Sequence, residues 1–195
     1  FMILIIILFP LGLGPIQEKL NIVSNAVIWV GLILAIMPSL EKLLQKDFEN
    51  GWLDQIATSP IPLEIVMLSK GISYWLIILI PLIITSPIFA ILLDMDLKNI
   101  PWLVISISAG SLAISLIGLS GSALILGARR GNILLPILII PLMTPILIFG
   151  VGVNEAIKIN ASPYGNLFLL LALTLVYLVI SPFISALLVR IAIGR

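Results

Sequence analysis

The chain has 195 residues, 61% of them hydrophobic and 10% charged, with a net charge of +1, no histidine and no cysteine. Soluble domains carry about 25% charged residues, so the polar surface is too small for a water-exposed globule, and the scattered basic residues form no nucleic-acid patch. Without cysteine there are no disulfides, thiolate ligands or thiol catalysis, and without histidine the usual metal ligand and neutral-pH general base are gone, so no catalytic or metal site is expected.

A membrane span needs about 20 apolar residues at 1.5 Å rise each. The first apolar run, 1–13, opens already inside a span, with no charged n-region before it. It reads as a span truncated at its start, ending in the turn-rich Phe9-Pro-Leu-Gly-Leu-Gly-Pro15. The second run is 22–40, followed by the one long polar stretch, 41–70. A third run covers 72–93, and 94–101 forms a short charged loop. The fourth, 102–128, closes on Arg129 and Arg130. The fifth, 133–153, carries Pro136, Pro141 and Pro145; a polar segment, 154–165, leads to the sixth, 166–189. Runs this long, without period-two alternation, are helices rather than barrel strands. The expected fold is an all-α membrane protein of about six transmembrane helices, one permease-like domain over 1–195 embedded in the lipid bilayer.

Lys42, Lys46, Lys70, Arg129, Arg130, Arg190 and Arg195 fall on one side of these spans, and Lys19, Lys98 and Lys158 on the other. This asymmetry places the 41–70 loop and both termini in the cytoplasm. Within that loop Leu40, Leu44, Phe48, Trp52 and Ile56 recur every fourth residue among polar ones, an amphipathic helix with Gly51 as a break or tight contact. Ser59-Pro60-Ile61-Pro62 stops it. Pro62 opens the next helix, with Glu64 in the first turn, where the helix dipole favours a carboxylate. The pattern alone fits a solvated connector equally well.

The residues Lys46-Asp-Phe-Glu-Asn-Gly-Trp-Leu-Asp-Gln-Ile56, with Ser59-Pro-Ile-Pro-Leu-Glu-Ile65 and Leu68-Ser-Lys70, resemble the first cytoplasmic loop of ABC-2-type permeases. More narrowly they resemble the CcmB family, the membrane subunits of the cytochrome c maturation haem exporter. The stretches 9–15, 129–131 and 141–150 fit the same family, so the resemblance runs in order along nearly the whole chain. It implies an ABC-2 (type V exporter-like) permease fold with a cytoplasmic amphipathic coupling helix. The implied partners are a separate CcmA-like ATPase, which supplies ATP hydrolysis, CcmC- and CcmD-like membrane subunits and a CcmE-like haem chaperone. It also implies that Asp47, Glu49, Gly51, Leu53, Asp54, Pro60 and Glu64 form or brace the ATPase contact. The amphipathic pattern adds Trp52 and Ile56 to Leu53 as apolar anchors. The implied location is the bacterial cytoplasmic (inner) membrane, with the mitochondrial inner membrane as an alternative.

In the fourth span Ser108, Ser111, Ser115, Gly118 and Ser122 alternate steps of three and four, making one small-residue face. Such a face suits close helix packing; a polar substrate path is the other reading. Gly118-Leu119-Ser120-Gly121 has the form of a rhomboid-protease motif, but its serine has no histidine to activate it. Pro81, Pro87, Pro136, Pro141 and Pro145 sit inside spans, as in transporters with kinked helices.

No ionisable residue lies deep in a span, which argues against ion-coupled transport. No Gly-x-x-x-x-Gly-Lys-Ser/Thr motif occurs, so an ATPase would be another chain. With neither histidine nor cysteine, haem ligation would fall to the five methionines, tyrosine or the backbone; of the methionines Met143 alone sits well inside a span, and methionine ordinarily ligates opposite histidine. No cofactor is therefore expected to be bound by this chain, and any haem would be held by a neighbouring subunit. Two other readings stand beside this one: a permease of another ABC-2 exporter for lipid, drug or polysaccharide, or a membrane scaffold that translocates nothing.

Overall fold

The computed structural model describes residues 2–13, 17–126 and 131–194, with side chains described at 2–12, 20–126 and 134–194. Regular structure among them is entirely helical. Helix α1 spans Met2–Leu13 and α2 Gln17–Glu41; two short helices follow, α3 at Gln45–Glu49 and α4 at Trp52–Ala57. Next, α5 (Leu63–Tyr74) runs through a π-helical turn, Trp75–Leu79, into α6 (Ile80–Leu92). Then come α7 (Ile100–Leu124), α8 (Gly131–Lys158) and α9 (Tyr164–Ala192). Five helical stretches are long and apolar enough to cross a bilayer, α5 and α6 together making one of them, and α1 is a shorter apolar helix. The protein is thus an all-helical, multi-pass membrane protein.

Several boundaries differ from the sequence expectation. The 9–15 exit is helical through Leu13, with Pro10 inside α1; Pro15 lies outside the described residues. The third span begins at Leu63 rather than residue 72, because Pro62 occupies the helix N-cap and starts α5 directly. The fifth extends to Lys158 rather than 153. Its polar residues find partners without ending the helix: Asn154 Nδ2 donates to Asn25 Oδ1 at 3.2 Å, and Asn25 Nδ2 to the Val151 carbonyl at 2.9 Å.

Helix α7 is the centre of the bundle, buried along most of its length. Its serines make this position possible, because small side chains admit neighbouring backbones and hydroxyls bond across the contact. Toward α5, Ser115 Oγ donates to the Gly71 carbonyl at 2.7 Å and Ser111 Oγ accepts Trp75 Nε1 at 2.8 Å. Toward α9, the Leu116 carbonyl accepts Ser181 Oγ at 2.5 Å and the Ala109 carbonyl accepts Thr174 Oγ1 at 2.8 Å. Trp29 of α2 is fully buried against two glycines. A Cβ at Gly110 would stand 2.9 Å from its ring, and one at Gly150 2.3 Å.

The two ends of the bundle are distinct. At one end Arg190 of α9 pairs with Glu64 of α5 at 2.8 Å, and Lys70 with Asp47 at 2.6 Å. At the other, Asn21 Nδ2 donates to the Asp94 carbonyl at 3.0 Å and Lys158 Nζ to the Ile22 carbonyl at 3.1 Å. The charge groups read from sequence therefore separate where described: Lys70 and Arg190 at one end, Lys158 at the other. Arg129, Arg130, Arg195 and the side chain of Lys19 lie outside the described residues.

Candidate functional site

The segment 42–62 crosses the end of the bundle formed by α5, α7 and α9. The expected amphipathic helix breaks at Gly51, where the sequence offers a break, and also after Glu41, which the sequence does not mark. The Gly51 break follows from backbone geometry: Gly51 has φ +71°, in the left-handed region that a residue with a Cβ enters at a cost of about 1–2 kcal/mol. The reversal brings α4 back so that both short helices turn apolar residues toward the bundle. Leu44 and Leu53, each 0% exposed, join Leu63 and Met67 of α5, Leu119 and Ala123 of α7, and Ala186 and Val189 of α9 in one cluster. Phe48, Trp52 and Ile56 pack on its margin. The Leu44 amide also donates to Ser122 Oγ at 3.2 Å, which ties the segment to α7.

Polar contacts brace the sides. Lys70 Nζ reaches Asp47 and lies 4.5 Å from the centroid of the Trp52 ring, so one cation holds both short helices to α5. Ser59 Oγ donates to the Ile56 carbonyl at 2.7 Å and accepts the Ile61 amide at 3.3 Å, closing the chain before Pro62.

The residues singled out from the sequence thus separate into three groups. Leu53 faces inward: with no exposed surface, it fastens the segment to its own bundle. Asp47, Gly51, Trp52, Ile56 and Glu64 are half-buried, with Asp47 and Glu64 occupied by Lys70 and Arg190. Glu49, Asp54 and Pro60 face outward beside Asn50, Gln55, Thr58 and Ile61. The outward surface is therefore polar and of mixed charge, with Lys42 and Lys46 exposed on it as well as Glu49 and Asp54, and with Ile61 exposed between Pro60 and Pro62.

Of the small-residue face, Ser111, Ser115, Gly118 and Ser122 are buried. Gly118 meets Leu40 so closely that a Cβ there would lie 2.3 Å from the leucine Cδ2. Ser108 stands apart, exposed, with its hydroxyl donated to the Val104 carbonyl at 2.7 Å. Sequence reasoning passed over the second small face of α7, where Ser120 Oγ lies 2.8 Å from Ser181 Oγ and 3.1 Å from Ser185 Oγ. The four-residue spacing of Ser181 and Ser185 was the available signal.

All five methionines, Met2, Met37, Met67, Met95 and Met143, are buried.

A family model described as CcmB protein matches residues 1–192. Relatives named Heme exporter protein B are similar along nearly the whole chain. That of Pseudomonas aeruginosa is 38% identical over 195 residues, covering 100% of this chain and 87% of the relative. That of Paracoccus denitrificans is 37% identical over 191 residues, covering 98% and 88%. The Escherichia coli K12 protein is 35% identical over 193 residues, covering 99% and 88%.

Proposed function

This chain belongs to the CcmB family, and on that premise we propose that it is the permease subunit of the haem-export ABC system of cytochrome c maturation, with the 42–62 segment as the surface on which its ATPase bears. It is a transporter component and not an enzyme. The observation that carries the docking role is the sorting of side chains across the segment. Leu44 and Leu53 are sunk into the bundle and Lys70 clamps the side, while Glu49 and Asp54 remain outward on a short, stiff frame.

A surface that transmits a rigid-body push needs this division: apolar burial makes it move with its own helices, and outward charge gives register and association rate to a partner. The fold is that of an ABC-2 permease, with α3 and α4 as the coupling element and both termini on the cytoplasmic side. The separation of Lys70 and Arg190 from Lys158, together with the excess of Lys and Arg at the first end, supports that orientation. The ATPase is a separate, CcmA-like chain, and CcmC-, CcmD- and CcmE-like proteins complete the system. Haem is cargo for the assembly and is ligated by a neighbouring subunit, a reading supported by the five buried methionines.

Reversing both outward carboxylates, Glu49→Lys with Asp54→Lys, tests the docking role. The doubly changed chain is expected to reach the membrane at parental levels and to lose the ATPase on co-purification. Lys98→Glu at the opposite end is expected to retain it. Retention of the ATPase by the double variant at parental stoichiometry would refute this role for the segment.

A further inference from the structure

The span formed by α5 and α6 changes helix type in its middle. Across Trp75–Leu79 the backbone is π-helical, and the Ile80 amide donates to the Trp75 carbonyl, five residues back. Pro81 supplies the reason: it has no amide hydrogen, and its ring clashes with the carbonyl four residues earlier, that of Ile77. The other prolines inside the described spans, Pro38, Pro87, Pro136, Pro141, Pro145 and Pro182, lie inside uninterrupted α-helix. A π-turn inside a span is an uncommon arrangement and concentrates at functional positions.

What lies on either side of the turn differs sharply. Up to and into it, the span is tied to four other elements. Glu64 pairs with α9 and Lys70 with α3. The Gly71 carbonyl accepts Ser115 of α7, the Tyr74 hydroxyl lies 2.5 Å from Ser39 Oγ of α2, and Trp75 donates to Ser111. Beyond the turn, the hydroxyls of Thr85 and Ser86 bond carbonyls of α6 itself, at 3.0 Å and 2.7 Å. Among the described residues no side-chain hydrogen bond joins α6 to another helix; the next such tie is Asn21 to the Asp94 carbonyl, past its end.

We propose that the π-turn at Trp75–Leu79 is a built-in hinge, on which α6 swings relative to α7 and α9 while α5 stays fixed to the 42–62 segment. Helices bend where their ladder is interrupted, and here the interruption falls at the border between a half tied to its neighbours by hydrogen bonds and ion pairs and a half held to α2 and α7 by apolar packing alone, through residues such as Phe89 and Ala90. Movement imposed on 42–62 enters α5 through Leu53 and Lys70 and is released as rotation of α6. The use given to the hinge rests on the docking reading above; the flexure itself does not.

The chain has no native cysteine, so spin labels can be placed singly in the full protein, in nanodiscs, in whatever assembly it purifies. Exposed Leu187 of α9 serves as a common reference, paired with Ile65 of α5 below the turn or Ile91 of α6 above it, each changed to cysteine. Pulsed electron-spin distances are expected to be more broadly distributed for Ile91–Leu187 than for Ile65–Leu187. Pro81→Ala, which restores the missing amide, is expected to narrow the upper distribution to the width of the lower one, whereas Pro87→Ala leaves it broad. Equal widths in the parent, or an upper width unmoved by Pro81→Ala, would overturn the hinge. Loss of the ATPase from the same samples would count against the docking reading and not against this one.

Discussion

At one end of the bundle two short helices and a glycine reversal lie across α5, α7 and α9, with a private apolar cluster beneath them and ion pairs at their edges. At the other, the chain turns back with little cover. Helix α6 ends on Asp94, φ +55°, with the Met95 amide on the Ala90 carbonyl at 3.0 Å. Helix α8 ends on Asn160, φ +56°, with the Ala161 amide on the Ala156 carbonyl at 2.8 Å. These are helix-ending bonds in which Asp and Asn take the left-handed position that glycine usually fills. The same membrane protein therefore closes one end with economical caps and builds a platform at the other. Elaboration beyond what capping requires supports the docking role proposed for the platform.

Leu53→Asp should separate the two ends most strongly. A carboxylate with no partner in the cluster under 42–62 costs several kcal/mol, of the order of 3–5. The variant is expected to lose assembly or to aggregate at a clearly lower temperature in detergent. Leu97→Asp, at a residue 77% exposed in the opposite loop, is expected to behave as the parent. Similar melting of both variants would mean that the cluster contributes no more than an exposed loop.

Gly118→Leu comes next. Even the first added carbon would lie 2.3 Å from Leu40, and overpacking of this kind costs about 1–3 kcal/mol. A thermal shift smaller than that of Leu53→Asp, with the protein still reaching the membrane, is the expected result.

The sequence makes the spans legible because long apolar runs have one solution in a bilayer, and it makes the platform visible because the four-residue recurrence of Leu44, Phe48, Trp52 and Ile56 is strong. The Gly51 break is legible for the same reason, glycine being the residue that the left-handed turn demands. Three features resist the same reading. The inward aim of Leu53 depends on the reversal at Gly51, which rotates α4 out of register with α3 and whose direction the four-residue recurrence does not carry. The end of α8 is hidden because Asn154 looks like loop polarity until Asn25, far away in sequence, is placed beside it. The bonds from Ser181 and Thr174 to α7 are hidden because a hydroxyl in a helix so often bonds its own preceding carbonyl, as Ser108 does.

Lys70→Met should give the smallest change in stability. The Lys70 and Asp47 side chains are 25% and 27% exposed, and partly solvated pairs contribute about 1 kcal/mol or less. A melting temperature within about two degrees of the parent is expected. If the pair clamps the platform to α5, ATP hydrolysis by the assembly should nevertheless fall relative to the parent, dividing a mechanical role from a stabilising one.

The most direct test of the platform is hydrogen–deuterium exchange of the protein with and without its ATPase. Binding is expected to slow exchange at residues 49–50, 54–55 and 58, whose side chains face outward, and to leave 94–98 and 159–163 at the opposite end unchanged. Slowed exchange at the opposite loops, with none in 49–58, would contradict the account.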